Sequence, residues 1–143
     1  MSGGRPPFIG VGFQKCGSTS LFALAVAGTG IGWPKKPLHG GKELHGVPGY
    51  TRPKAAHRRR YLRQLGAGNR AEFTPNYAYK PSNLFSLDSW FPNVKFLLVV
   101  RNPIDRFFSA LDHGKGDSVV EPGTSDAQAF EASYSGSSNN SWV

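Results

Sequence analysis

Phe8-Ile9-Gly10-Val11-Gly12-Phe13-Gln14-Lys15-Cys16-Gly17-Ser18-Thr19-Ser20-Leu21 passes from a short apolar run, through a glycine-bearing turn, into a second apolar stretch. Phe8 to Phe13 reads as a buried strand, and Thr19 to Ala27 has the composition of a helix. A turn joining a strand to a helix gathers backbone N–H groups and the positive end of the helix dipole around one point, and such a point binds phosphate. A nucleotide triphosphatase loop places lysine directly after its second glycine. Here Ser18 follows Gly17 and the lysine comes three positions earlier, at Lys15. No acidic residue directly follows the later strand to hold magnesium, so the pattern favours a metal-free transfer.

That later strand is Val94 to Val100 (VKFLLVV), a nearly continuous apolar run of the kind expected where both faces of a parallel strand are covered. After it, Asn102 is placed to cap a helix that starts at Pro103 and runs through His113. Ile104, Phe107, Phe108 and Leu111 share one face of that helix. Arg101 leaves the strand where open α/β sheets bind ligands, and Ser109 follows about two helical turns on, so a guanidinium and a hydroxyl could hold a second phosphate. An ion pair of Arg101 with Asp105 is the plainer alternative.

Between the two motifs the chain is glycine- and proline-rich from Gly28 to Pro53, with Lys42 to His45 readable as a short strand. Arg52 to Leu65 reads as a basic helix ending at Gly66, Ala71 to Thr74 as a strand, and Pro81 to Phe91 as a helix opened by proline. Beyond Gly114 the composition turns to Gly, Ser, Asn and Asp. The expected organisation is therefore one folded portion over 1–113 and a poorly ordered tail over 114–143.

Together these segments resemble the sulfotransferase superfamily that uses 3′-phosphoadenosine 5′-phosphosulfate (PAPS). GFQKCGSTSL resembles its 5′-phosphosulfate loop and VVRNPIDRFFSALDH its 3′-phosphate motif. GKELH resembles the KE-x-H segment, and AEFTPNY the E-K-(S/T)-P-x-Y segment, of the heparan sulfate and related carbohydrate sulfotransferases. The resemblance implies an α/β fold, a P-loop-like parallel sheet flanked by helices in three α/β/α layers, here incomplete at the C-terminus. It implies that Lys15 neutralises the departing phosphate, that Gly17, Ser18, Thr19 and Ser20 hold the 5′-phosphate, and that Arg101 and Ser109 hold the 3′-phosphate. Glu43 stands at the general base of the carbohydrate enzymes. His45 is a rival or a cooperating base, because on an extended strand the two side chains would point the same way.

The implied reaction is transfer of a sulfuryl group from PAPS to a hydroxyl or amine of a carbohydrate-like acceptor, with PAP released and no metal required. Two departures bear on the acceptor: Phe73 stands where the carbohydrate enzymes have lysine, and GVPGY replaces an aromatic, acidic run. The closing half of the family domain has no counterpart here.

Composition agrees with an anion-binding fold but does not choose among anions. The 143 residues carry a formal charge of +8, with 38% hydrophobic and 18% charged residues, inside the globular range. A single cysteine, Cys16, excludes an internal disulfide and cannot build a zinc site alone. The absence of a long apolar run gives an expectation of no membrane segment in this chain and a cytoplasmic location, or the Golgi lumen if an N-terminal anchor precedes it. Two other classes compete: a non-catalytic polyanion-binding module built on Arg58, Arg59, Arg60 and Arg63, without a specific nucleic-acid partner expected, and a P-loop nucleotide kinase.

Overall fold

The computed structural model describes residues 5–38, 40–47 and 54–116, with Gly123, Ser125 and Gln128 beyond them. It resolves into two compact units, Met1–Val100 and Arg101–Val143. The first contains a three-stranded parallel sheet of order β2-β1-β3, made by β1 (Phe8–Gly10), β2 (Glu72–Phe73) and β3 (Lys95–Leu97). Parallel neighbours require crossovers. Helices α1 (Ser18–Thr29) and α2 (Ala55–Leu65) fall between β1 and β2, and α3 (Pro81–Trp90) between β2 and β3.

Alternation along β1 divides the core. Ile9 and Val11 join Leu44, Tyr61, Leu65, Leu87, Trp90 and Phe91, a cluster drawn largely from α2 and α3. On the other face Phe8 packs with Phe22 of α1, Ile31, Ala71 and Phe73. The sheet is thus covered by α1 on one side and by α2 and α3 on the other, the expected α/β/α layering. Arg58 helps to join α2 to α3: its Nε donates to the Trp90 carbonyl at 3.2 Å, and its guanidinium lies 5.5 Å from the centre of the Phe91 ring.

Three sequence expectations change. The strand from Phe8 is hydrogen-bonded as β only to Gly10, because Val11 already begins the loop, its N–H donating to the Leu97 carbonyl at 3.0 Å. Lys42 to His45 forms no strand: Lys42 ends a turn, Glu43 makes only an isolated bridge, with its carbonyl accepting the Leu38 N–H at 2.8 Å, and His45 is left-handed at φ 46°. The apolar run of β3 lies at a sheet edge among the described residues. Phe96 is 38%, Leu98 51% and Val100 69% exposed, so the run is not covered on both faces.

The second unit contains α4 (Pro103–Gly116). Its start follows the expectation: Asn102 Oδ1 accepts the Ile104 N–H at 2.9 Å, Pro103 occupies the first helical position, and the Arg106 N–H donates to the Asn102 carbonyl. Of the expected apolar face, Leu111 is buried and Phe107 half-buried, while Ile104 and Phe108 remain exposed. The tail expected over 114–143 lies almost wholly outside the described residues.

Candidate functional site

The loop after β1 is shaped by three glycines, each for its own reason. A Cβ on Gly10 would fall inside the Phe73 ring, and one on Gly12 would stand 3.0 Å from the Val99 backbone nitrogen. Gly17 is left-handed at φ 83° and caps α1. Lys15 is also left-handed, at φ 63°, a conformation uncommon for a side chain of its size. These two residues bracket Cys16, whose buried Sγ turns back to the Gln14 carbonyl at 3.6 Å.

The helix begins directly after this turn, so the N–H groups of its first residues, Ser18, Thr19 and Ser20, have no carbonyl partner one turn earlier. No side chain caps them and no acidic residue sits in the first turn. Ser18 is buried, whereas Thr19 and Ser20 are exposed with their hydroxyls at the helix start. A phosphate oxygen is the complement of such a donor set, with Lys15 three residues before it.

The second element of the site is the turn at residues 42–46. Its expected strand is absent, yet the two candidate bases meet: His45 Nε2 lies 2.8 Å from Glu43 Oε2. Lys42 donates to the other carboxylate oxygen at 2.6 Å. Partial burial pushes the Glu43 carboxyl up, but the hydrogen bonds and charges of His45 and Lys42 outweigh it and hold the group below its ordinary value. Glu43 is therefore ionised at neutral pH, and the side chains of Glu43 and His45 retain 15% and 30% exposure.

Lys42 carried no role in the sequence reading and is almost completely buried. Its carbonyl accepts the Phe73 N–H at 2.9 Å, its ammonium reaches the Phe73 carbonyl at 3.4 Å, and it stands 6.0 Å from the centre of the Phe73 ring. A cation thus does lie beside position 73, supplied by Lys42, while Phe73 itself is a core residue seated on Gly10.

Behind the turn lies a buried polar cluster that sequence reasoning recognised only as a motif. Glu72 is completely enclosed; its Oε1 accepts from the Tyr61 hydroxyl at 3.0 Å and its Oε2 from the Thr74 hydroxyl at 2.6 Å. Thr74 Oγ1 in turn accepts the N–H groups of Leu44 at 3.0 Å and His45 at 3.3 Å, and the Tyr77 hydroxyl accepts that of Gly46 at 3.0 Å. Burial raises the Glu72 carboxyl to about 7 despite the hydrogen bonds from Thr74 and Tyr61. The bonds to the Leu44, His45 and Gly46 amides join residues about thirty apart in sequence, and only the spacing of Glu72, Thr74 and Tyr77 hinted at them.

Both elements stand at the same end of the sheet. Gly10 pairs with Phe73 in parallel register, the Lys15 loop leaves β1 just beyond that pair, and Thr74 leaves β2 just beyond it. The Thr74 N–H donates to the Gly10 carbonyl at 3.2 Å, and the Ala78 N–H to that of Val11 at 2.9 Å. The carboxyl ends of adjacent parallel strands are where open α/β sheets place their ligands. Arg101 and Ser109 belong to the second unit, Arg101 exposed just before α4 and Ser109 half-buried within it.

Among the described residues no helix is long and apolar enough to cross a membrane, and no three His, Cys, Asp or Glu side chains group as metal ligands. No protein-family model matches the chain, and no curated protein matches it significantly. A solved structure does: a sulfotransferase from Alicyclobacillus acidocaldarius superimposes with a TM-score of 0.63 at 27% identity, over 82% of this chain. This chain spans 53% of the length of that protein. The three-stranded parallel sheet and its flanking helices therefore match the fold of a sulfotransferase, to whose superfamily the chain is similar.

Proposed function

We propose that this chain is the donor-binding part of a PAPS-dependent sulfotransferase that transfers a sulfuryl group to a hydroxyl or amine of a carbohydrate-like acceptor. The observation that carries this reading is the placement of an anion-binding loop and a carboxylate–imidazole pair at the ends of adjacent parallel strands. The likeness to a solved sulfotransferase supports it. The donor set at the start of α1 fits a phosphate: unpaired N–H groups, two exposed hydroxyls, one lysine and no competing acid.

In this reading Glu43, partnered by His45, takes the proton of the acceptor hydroxyl as its oxygen attacks sulfur. The new O–S bond forms while the bond from sulfur to the bridging phosphate oxygen breaks, and that oxygen keeps the electron pair. Lys15 and the α1 N-terminus meet the charge that develops there, which lowers the barrier most where water is excluded. Arg101 and Ser109 are assigned to the 3′-phosphate, on their sequence motif.

Isothermal calorimetry with PAP and AMP tests the proposal. PAP carries an extra phosphate that charged donors recognise, so it binds more than tenfold tighter than AMP. Equal affinity for the two nucleotides, or none for either, overturns the reading. A second reading rests on Arg58, Arg59, Arg60 and Arg63, all exposed on α2. Salt-sensitive polyanion binding that survives Lys15→Ala and Arg101→Ala would favour a non-catalytic module.

A further inference from the structure

Glu72 is the one acidic side chain of the first unit's core that the proposed chemistry leaves without a task, and its surroundings are specific. An apolar residue of similar size would fill β2 at less cost than a carboxylate withdrawn from water. What the carboxylate does there is accept two hydroxyl protons, those of Tyr61 and Thr74.

The Thr74 hydroxyl has one proton and two lone pairs. When Glu72 is ionised, above about pH 7, the proton is committed to its carboxylate at 2.6 Å and both lone pairs are left for the N–H groups of Leu44 and His45. The next amide, Gly46, is received by the Tyr77 hydroxyl. Three consecutive N–H groups of the turn are thus held by side-chain oxygens from the segment after β2. The middle one belongs to His45, whose left-handed backbone at φ 46° persists only where its neighbours fix it.

We infer that the Glu72–Thr74 pair is a positioning device for the proton-accepting pair. Glu72 orients the Thr74 hydroxyl, and the hydroxyl fixes the backbone from which Glu43 and His45 project, so that their side chains stay within hydrogen-bond reach. Neither Glu72 nor Thr74 touches the reacting atoms. This rests on the proposed function for its purpose, but the geometry it predicts is measurable without turnover.

Nuclear magnetic resonance on the full chain provides the test, reading amide hydrogen exchange at residues 44–46 and the titration of the Glu43 carboxyl. Thr74→Val removes the hydroxyl at nearly constant volume. Exchange at Leu44 and His45 rises on the order of tenfold, as expected for one lost hydrogen bond, while Gly46 and the α3 amides keep their protection. The Glu43 carboxyl then titrates closer to its ordinary value, because His45 is no longer held against it. Thr74→Ser, which keeps the hydroxyl, restores both readouts. Glu72→Gln, compared above pH 7 where Glu72 is ionised, raises exchange at Leu44 and His45 by less, since a carboxamide accepts the Thr74 proton more weakly than a carboxylate.

A folded Thr74→Val protein with unchanged exchange and unchanged Glu43 titration overturns the inference, as does Thr74→Ser behaving like valine. Should Thr74→Val fail to fold, Glu72→Gln decides, and exchange at Leu44 and His45 identical with the wild type above pH 7 is equally fatal. Calorimetry with PAP on the same samples separates this result from the function. PAP binding with unaltered exchange removes the positioning role alone, whereas lost PAP binding in the wild type removes the sulfotransferase reading and leaves the hydroxyl bridge standing.

Discussion

Lys15 bears two burdens, a left-handed backbone at φ 63° and the cation of the loop, and they can be separated by substitution. Lys15→Gly relieves the backbone strain while removing the charge. The expected protein is as stable as the wild type or up to about 1 kcal/mol more so by thermal unfolding, yet has lost most of its affinity for PAP. A marked fall in stability would mean that the side chain is held for packing and not for an anion. The two carboxyls of the site respond to pH with opposite sign. Glu72, raised from its ordinary 4.5 to about 7 by burial, holds a proton when folded that the unfolded chain has already released. Stability from this group is therefore present below 4.5 and lost as the pH climbs toward 7, on the order of 3 kcal/mol. The groups facing Glu72 do not add to this window: Tyr61 and Tyr77, pushed well above 10 by burial, stay neutral, and Thr74 does not titrate. Glu43, held low, contributes stability above the ordinary carboxylate range and loses it only as the pH falls through its folded value. Urea unfolding at pH 5 and pH 8 measures the first effect, and Glu72→Gln removes the difference that Glu72 causes; an unaltered slope would show that Glu72 is not the titrating group.

At the scale of elements, β1 and β2 approach so closely that only glycine fits at position 10 beneath the Phe73 ring. Gly10→Ala forces that ring or the strand to shift and costs about 1–3 kcal/mol by chemical denaturation; Phe73→Leu in the same chain recovers part of it. If the alanine is tolerated alone, the two strands are not locked by this contact. Much of this level was legible in the sequence. The Pro103 helix and its Asn102 cap follow from rules local to a few residues, as do α1 and the proline-started α3, and all three form. The 42–45 segment misled because it is the longest stretch without Gly or Pro between Gly28 and Pro53, while what shapes it are hydroxyls from Thr74 and Tyr77 and the buried Lys42, contacts that no local pattern encodes. Glu43 and His45 were recognised as a pair on the wrong geometry: they meet across a left-handed turn. The apolar run of β3 was readable as a strand, but a pattern made for burial on two faces does not reveal that, in this chain, the strand stands at the sheet edge.

For the whole molecule, the formal charge of +8 sets a field that favours any dianionic or trianionic ligand before contact is made. PAP affinity should consequently weaken severalfold as the Debye length shortens from about 30 Å in 0.01 M salt to about 8 Å in 0.15 M. Calorimetry across that range checks this, and indifference to salt would place recognition in uncharged contacts instead. The chain spans 53% of the solved sulfotransferase it matches, and within that span it holds both the Lys15 loop and the Glu43–His45 pair. The seat of Phe73 on Gly10 has a further consequence for how such a protein can change. Its ring rests against the strand that launches the loop, and its peptide group clasps Lys42, which launches the turn. In the proposed sulfuryl transfer, a single core residue would thus be the common datum for the leaving-group side and the nucleophile side of the displacement. Mutational drift at this position would spoil the alignment of both together, so new acceptor preferences have to be written into the outer surface of the turn while its root stays fixed.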